Sequence, residues 1–389
     1  MSNQSFAERA DAITAADLRA IGGTKWADPQ VTGVFVAEMD FGVAPVIKAA
    51  LHEAIDEGAF GYTPQKYVNA LKVATAARLR SHHGWKIDSD QVFPVADVIT
   101  ALEAAIRHFT APGAKIIVPT PSYMPFLSVP PMLGREVIEV PMIEVDGVWR
   151  FDLDGLQAAF DEGGSCLILC NPNNPLGRVF SREELTEISE LVEHNGGRVF
   201  SDEIWAPLVF EGSELVPYAT LNEVAAGHTI TATAASKAWN LPGLKCAQLV
   251  VSNDRDQQTM DEIGRVVGRG TATPGLIAST AAYNDGDEWL GEALSYLQGN
   301  RDELAALVAE HLPGVRMTVP ESTYIAWLDF RDTGLDNPAE FFLERAGIAM
   351  TDGAACGVAG RGCARFVFAM PRPLMRDAIA RMGEALRVR

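Results

Sequence analysis

The stretch Thr231-Ala-Thr-Ala-Ala-Ser-Lys-Ala-Trp-Asn-Leu-Pro-Gly-Leu-Lys245 decides how the chain is read. β-Branched residues open it as they open a strand. Small residues then allow close backbone approach, and Lys237 stands at the turn with Lys245 eight positions on. In a tight apolar setting the ammonium form loses solvation, which frees the amine to form an imine with an aldehyde cofactor. The same residues also read as a buried strand end whose lysine snorkels to water. By itself the stretch leaves both readings open.

Outward from it, short apolar runs alternate with helical patterns. Strands are expected at 91–95, 115–119, 136–141, 166–170, 198–202, 229–233 and 248–252. Helices are expected from Pro45 to about Glu57, from Tyr67 to His82, from Val98 to Phe109 behind Asp97 as N-cap, from Asp154 to Phe160, and from a capping box at Ser181 to His194. The alternation predicts an α/β fold, a mostly parallel sheet flanked by helices. After about residue 285 the pattern becomes α+β: a long helix from Trp289 to His311, strands at 315–319, 324–330, 348 and 363–370, and a helix from Pro338 to Ala346. A short strand followed by a turn is expected within Val34–Phe41. A chain of 389 residues is long for one core. The expected division is an N-terminal segment, 1–50, packing with the small part; a large cofactor-binding domain, 51–285; and a small C-terminal domain, 286–389.

A formal charge of −19 argues against nucleic acid or an anionic membrane as partner. No run is long and apolar enough for a membrane span, and the first residues have no apolar signal core. The five cysteines (166, 170, 246, 356 and 363) form no Cys-x-x-Cys pair and no zinc-spaced cluster, so no metal is expected. Scattered thiols in odd number fit a reducing compartment, and the expected location is the cytoplasm.

In open α/β sheets ligands bind beyond the carboxyl ends of the strands. Asp97, Tyr123, Asn171 to Gly177, Asp202 and Ser236-Lys237 all fall there. Their order is the specific signal. Asn-Pro-Asn-Asn-Pro-Leu-Gly (171–177), Ser-Asp-Glu (201–203), Ser-Lys (236–237) and a late Arg365 resemble fold-type I pyridoxal-phosphate enzymes of the aminotransferase class I/II family. The likeness covers nearly the whole chain. Ala-Glu-Met-Asp-Phe (37–41), Phe-Gly-Tyr-Thr-Pro (60–64), Leu-Val-Phe-Glu-Gly (208–212) and Ala-Ser-Lys-Ala-Trp-Asn-Leu-Pro-Gly-Leu (235–244) are similar to the cystathionine β-lyase, or C–S β-lyase, subgroup.

The resemblance implies pyridoxal 5'-phosphate as cofactor, with Lys237 holding it and moving the substrate's Cα proton. Asp202 would face the ring nitrogen, Asn174 the ring's phenolic oxygen, and Tyr123 the ring face. Backbone amides of Val98 and Ile99, with Ser236 and Lys245, would hold the phosphate, joined by Tyr62 from a neighbouring subunit of a homodimer with shared sites. Arg365 would clamp the carboxylate of a small amino-acid substrate, with Tyr324 and Ala37 to Asp40 nearby. Read without the resemblance, Tyr62 and Tyr123 are loop aromatics, Asn174 a turn asparagine, Asp202 a strand-end cap and Arg365 half of a surface ion pair.

Two positions depart from the subgroup. Trp205 replaces its usual histidine and cannot accept a hydrogen bond. Asp97 stands where relatives carry a small or hydroxyl residue; repelled by a phosphate, it is expected to turn away and cap its helix. The activity implied is β-elimination from a cysteine S-conjugate, giving pyruvate, ammonia and a thiol. Amino transfer on the same residues, or a regulatory binding protein on the same fold, are the alternatives.

Overall fold

The computed structural model describes residues 4–388. Its centre is a seven-stranded sheet of β1 (Val92–Val95), β2 (Lys115–Thr120), β3 (Val137–Pro141), β4 (Gly164–Cys170), β5 (Arg198–Asp202), β6 (Thr229–Thr233) and β7 (Ala247–Val251), in spatial order β1-β7-β6-β5-β4-β2-β3. Only β7 runs against its neighbours. β1 therefore points the same way as the other five, and six strands deliver their carboxyl ends to one rim. β5, β6 and β7 are buried almost end to end, which is why apolar and β-branched residues dominate them.

A second, antiparallel sheet orders Arg316–Met317, Ile325–Asp329, Cys363–Val367 and Thr351–Asp352. The helices Asp287–His311, Pro338–Ala346 and Arg372–Arg387 accompany it. One apolar cluster runs from Phe200, Ile230 and Leu249 in the central sheet to Tyr324, Phe366 and Met375 here. Among the described residues no helix is long and apolar enough to cross a membrane.

Val34–Phe41 is not a strand. Only Thr32–Gly33 pairs, parallel to Ile348–Ala349. Beyond it the backbone bonds to scattered partners instead of one ladder: Val34 with Ala349 and Val367, Met39 with Asn240, and Asp40 with Ala369. The helix expected from Asp154 begins at Leu153, because Asp152 is the residue whose carboxylate accepts the Gly155 N–H, at 3.0 Å. Residues expected as loop after Tyr123 form the helix Met124–Met132; its prolines sit in the first turn, where no N–H is needed, and in the last. An Asp146-Gly147 turn, both residues at positive φ, closes an unanticipated hairpin of Ile143–Val145 with Val148–Arg150.

The capping box at Ser181 forms as expected: Ser181 Oγ accepts the Glu184 N–H and Glu184 accepts the Ser181 N–H. Just before it, the loop 171–177 docks against the second sheet's side of the molecule. Gly177 has φ +69°, and its carbonyl accepts the N–H groups of Glu321 and Ser322 at 2.9 and 3.0 Å. A Cβ there would lie 2.3 Å from Pro320 Cβ. Gly177→Ala is therefore expected to cost about 2–4 kcal/mol, from left-handed strain plus overpacking. Urea unfolding of the two proteins measures it, and an unchanged midpoint would mean that the loop yields without cost.

Candidate active site

The carboxyl ends of β1, β2, β4, β5 and β6 open on one cavity of about 660 Å³. The helix Val98–His108 starts at its wall. Asp97 Oδ1 accepts the Thr100 N–H at 2.8 Å and its hydroxyl at 2.9 Å, while Val98 and Ile99 line the cavity. A helix N-terminus with two unclaimed first-turn amides favours an anion.

Lys237 follows β6. Its Nζ donates to the Ala37 carbonyl at 2.9 Å, and the Tyr324 hydroxyl donates to the same oxygen at 3.1 Å. Burial, helped by the charge of Arg365, lowers the amine to about 8 against the pull of Asp202 and Glu38. Near neutral pH this lysine therefore gives up its proton far more readily than an exposed one. Asp202 ends β5 and is 3% exposed. Its carboxylate accepts the Ile204 N–H at 3.1 Å and lies 3.9 Å from the Cys170 thiol. Burial pushes it up to about 7. No cationic side chain bonds it among the described residues, so it is built to meet a positive charge that the protein itself does not supply.

Arg365 is also 3% exposed and faces no carboxylate. Nη1 donates to Asn174 Oδ1 at 3.2 Å and Nη2 to the Phe35 carbonyl at 2.7 Å, while Nε, fully buried, has no partner. This is not a surface ion pair but a desolvated guanidinium held ready for an anion. With its oxygen turned to Arg365, Asn174 keeps its NH₂ for an acceptor in the cavity. Tyr123 precedes the helix Met124–Met132, sets its ring edge-to-face on Phe126 at 5.4 Å, and lines the same cavity. Ser236 and Lys245 complete the lining at the end near Val98.

The Aminotransferase class I and II family matches residues 30–382. The chain belongs to this family. It is 39% identical to the cystathionine beta-lyase of Corynebacterium glutamicum, over 92% of this chain and 94% of that one. A structure described as a candidate PLP-dependent beta-cystathionase from Corynebacterium diphtheriae superposes with a TM-score of 0.91 at 39% identity, over 96% of this chain and 98% of the other. Cystalysin from Treponema denticola, whose structure contains pyridoxal 5'-phosphate, follows with a TM-score of 0.90 at 28% identity, over 97% and 99%. The architecture is the fold-type I fold of pyridoxal-phosphate enzymes.

Within that family frame three further positions bear on the sequence expectations. Asp97 caps its helix as expected, and its second oxygen accepts from Lys245 Nζ at 2.9 Å. Burial raises its carboxyl, yet the bonds from Lys245 and Thr100 outweigh this and hold it below its ordinary value. Tyr324 is fully buried behind Trp205, with ring centroids 4.7 Å apart, and reaches the site only through the Ala37 carbonyl. Tyr62 is fully exposed and lies outside this cavity. The carbonyls of Phe35 and Ala37, and the walls at Met124, Met350 and Thr351, carry no sequence signal of their own; backbone acceptors are identical at every residue.

Glu203, beside Asp202, is likewise pushed up to about 7 by burial. In cofactor-free protein both carboxyls hold protons that the unfolded chain has released, so stability falls as pH rises from about 4 to about 7. Cofactor-free Asp202→Asn is expected to lose its share of that fall, its thermal midpoint dropping less than the parent's between about pH 4.5 and about pH 7.5. Equal drops would show that Asp202 is not kept neutral by burial.

Proposed function

We propose that the chain is a pyridoxal 5'-phosphate-dependent carbon–sulfur β-lyase acting on cystathionine or a similar cysteine S-conjugate. One observation carries this reading: a lysine amine poised near neutrality shares a cavity with a buried guanidinium and a buried carboxylate, neither of which is hydrogen-bonded to an oppositely charged side chain among the described residues. The relatives named above support it, since the cystathionine beta-lyase of C. glutamicum matches over nearly the full length of both chains.

Bound pyridoxal phosphate supplies a ring that draws off the electron pair left at the substrate's Cα. Lys237 holds it covalently. The amides of Val98 and Ile99, the Ser236 hydroxyl and the Lys245 ammonium hold its phosphate. Asp202 meets the ring nitrogen, and the positive charge there offsets the cost of burying the carboxylate. Asn174 donates its NH₂ to the phenolic oxygen, and Tyr123 contributes an aromatic face. Arg365 takes the substrate carboxylate, using the donor capacity that Asn174 and Phe35 leave free. With its amine free beside the substrate, Lys237 would take the Cα proton. The Cβ–S bond then breaks, the sulfur leaves as thiolate, and the three-carbon fragment hydrolyses to pyruvate and ammonia.

A homodimer with shared sites belongs to the same reading. It rests on Tyr62 and Phe60, which stand exposed together on one loop although both are large and apolar or aromatic. Cytoplasmic residence is supported by five cysteines that are all buried and unpaired.

Purified holoenzyme given L-cystathionine, with no keto acid present, is expected to release pyruvate. Lys237→Ala should lower that rate on the order of 10³-fold or more, since both cofactor linkage and proton transfer are lost. No pyruvate from the parent, with amino transfer appearing only when a keto acid is added, would replace the lyase with an aminotransferase.

A further inference from the structure

The motif Ala37-Glu-Met-Asp-Phe41 supplies no side chain to the chemistry above, yet its segment touches both of the site's central cations. The Phe35 carbonyl accepts from Arg365 Nη2 at 2.7 Å, and the Ala37 carbonyl accepts from Lys237 Nζ at 2.9 Å. Since this segment is not a strand, no ladder fixes those two oxygens. Something else must.

Two clamps do so. On one side Asn240, three residues after Lys237, grips the segment's backbone. Its Oδ1 accepts the Met39 N–H at 2.9 Å, and its Nδ2 donates to the carbonyls of Met39 and Gly42 at 2.8 and 3.1 Å. Asn240 does this from φ +60°, a left-handed conformation that asparagine tolerates better than most residues. On the other side Asp40 is buried and accepts from Lys25 Nζ and Trp26 Nε1, each at 3.0 Å, while its own N–H donates to Ala369. The Lys25 and Asp40 side chains are 0% and 4% exposed. A buried ion pair of this kind is weak evidence for stability, and its best attested use is to fix register.

We propose that Asn240, Asp40 and Lys25 are positioning residues for substrate binding. They hold the segment Phe35–Gly42 so that the Phe35 carbonyl aims Arg365. With Nη1 tied to Asn174 and Nη2 to Phe35, the guanidinium plane is set before an anion arrives. If the segment slips, Phe35 releases Nη2, the guanidinium can turn, and the ordering cost returns at each binding event. The inference rests on the reading of Arg365 as the carboxylate clamp, and not on what becomes of the substrate's sulfur.

The test uses holoenzyme and L-alanine, which has the α-amine and carboxylate but no group to eliminate; the change in cofactor absorbance reads its Kd. Asn240→Gly keeps the φ +60° backbone without strain and removes the three side-chain bonds. Its Kd is expected to rise about tenfold, within the range that small misplacements of binding groups cost. Asn240→Asp, which keeps the bond from the Met39 N–H, should fall between the two. The KM for cystathionine should rise in parallel while kcat changes less than about threefold, as for an interaction made equally in ground and transition states. A role confined to stability would lower the melting midpoint and leave Kd untouched; an unaltered Kd in folded, cofactor-loaded Asn240→Gly overturns the proposal. Should that variant not load cofactor, Trp26→Phe, which removes only the indole bond to Asp40, decides: a raised Kd supports the proposal and an unchanged one overturns it. A parent that binds L-alanine but releases no pyruvate from cystathionine would sink the lyase reading alone.

Discussion

Desolvation of the Lys237 amine is the constraint to which the rest of the site answers. The amine sits at the end of a fully buried strand with a backbone carbonyl as its one hydrogen-bond acceptor. Around it the protein has gathered two more ionisable groups under the same strain. Burial lowers the lysine, raises Asp202 and lowers Arg365 from its ordinary value. In each case burial weakens the charged form, and among the described residues no oppositely charged side chain is hydrogen-bonded to it. Three such groups in one cavity cost stability in the unliganded chain, and nothing in the packing recovers it. The arrangement makes sense as an incomplete set: a ligand carrying a basic ring nitrogen, an aldehyde and a carboxylate partner would satisfy all three together.

Topology brings the set together. Six strands run the same way to one rim, and the single antiparallel strand, β7, fits between β1 and β6 without reversing either. Lys237 and Lys245 are thereby placed on one short connection, between β6 and β7, so the residue that holds the ring and the one that meets the phosphate end are spaced by a tight loop. Asn174 joins the halves of the site. Its oxygen engages Arg365 from the second sheet, and its loop is locked against residues 320–322 by the Gly177 carbonyl.

The strand ends and the side chains on them are legible in the sequence because buried parallel strands announce themselves as short apolar runs and loops follow them directly. Asp202, Asn174, Tyr123, Ser236 and Lys237 come from that logic plus their order. What is not legible is anything that depends on backbone oxygens or on the far side of a ring. Phe35 and Ala37 act through carbonyls, which every residue has. Their segment looks like a strand because Val34, Phe35 and Val36 are β-formers, and only tertiary partners reveal that it bends. Tyr324 belongs to the site in sequence order yet stands one layer behind it. Asp97 shows its capping role in the sequence, but not its bond to Lys245, at 2.9 Å, because that partner lies 148 positions away.

Trp205 closes the circle. Lacking an acceptor, the indole cannot do what a histidine at that position would do. Its ring centroid lies 5.6 Å from Lys237 Nζ, its edge meets Tyr324, and it is 1% exposed. A large flat side chain in that place excludes water from the amine more completely than an imidazole would, and it braces the tyrosine whose hydroxyl shares the Ala37 carbonyl with the lysine. Two effects on the amine oppose each other: an indole face attracts the ammonium form, by about 0.5–2 kcal/mol, while the burial it enforces disfavours that form. Burial, with the charge of Arg365, lowers the amine to about 8. The tryptophan thus works with the small residues before Lys237 to desolvate the amine, against the pull of Asp202 and Glu38.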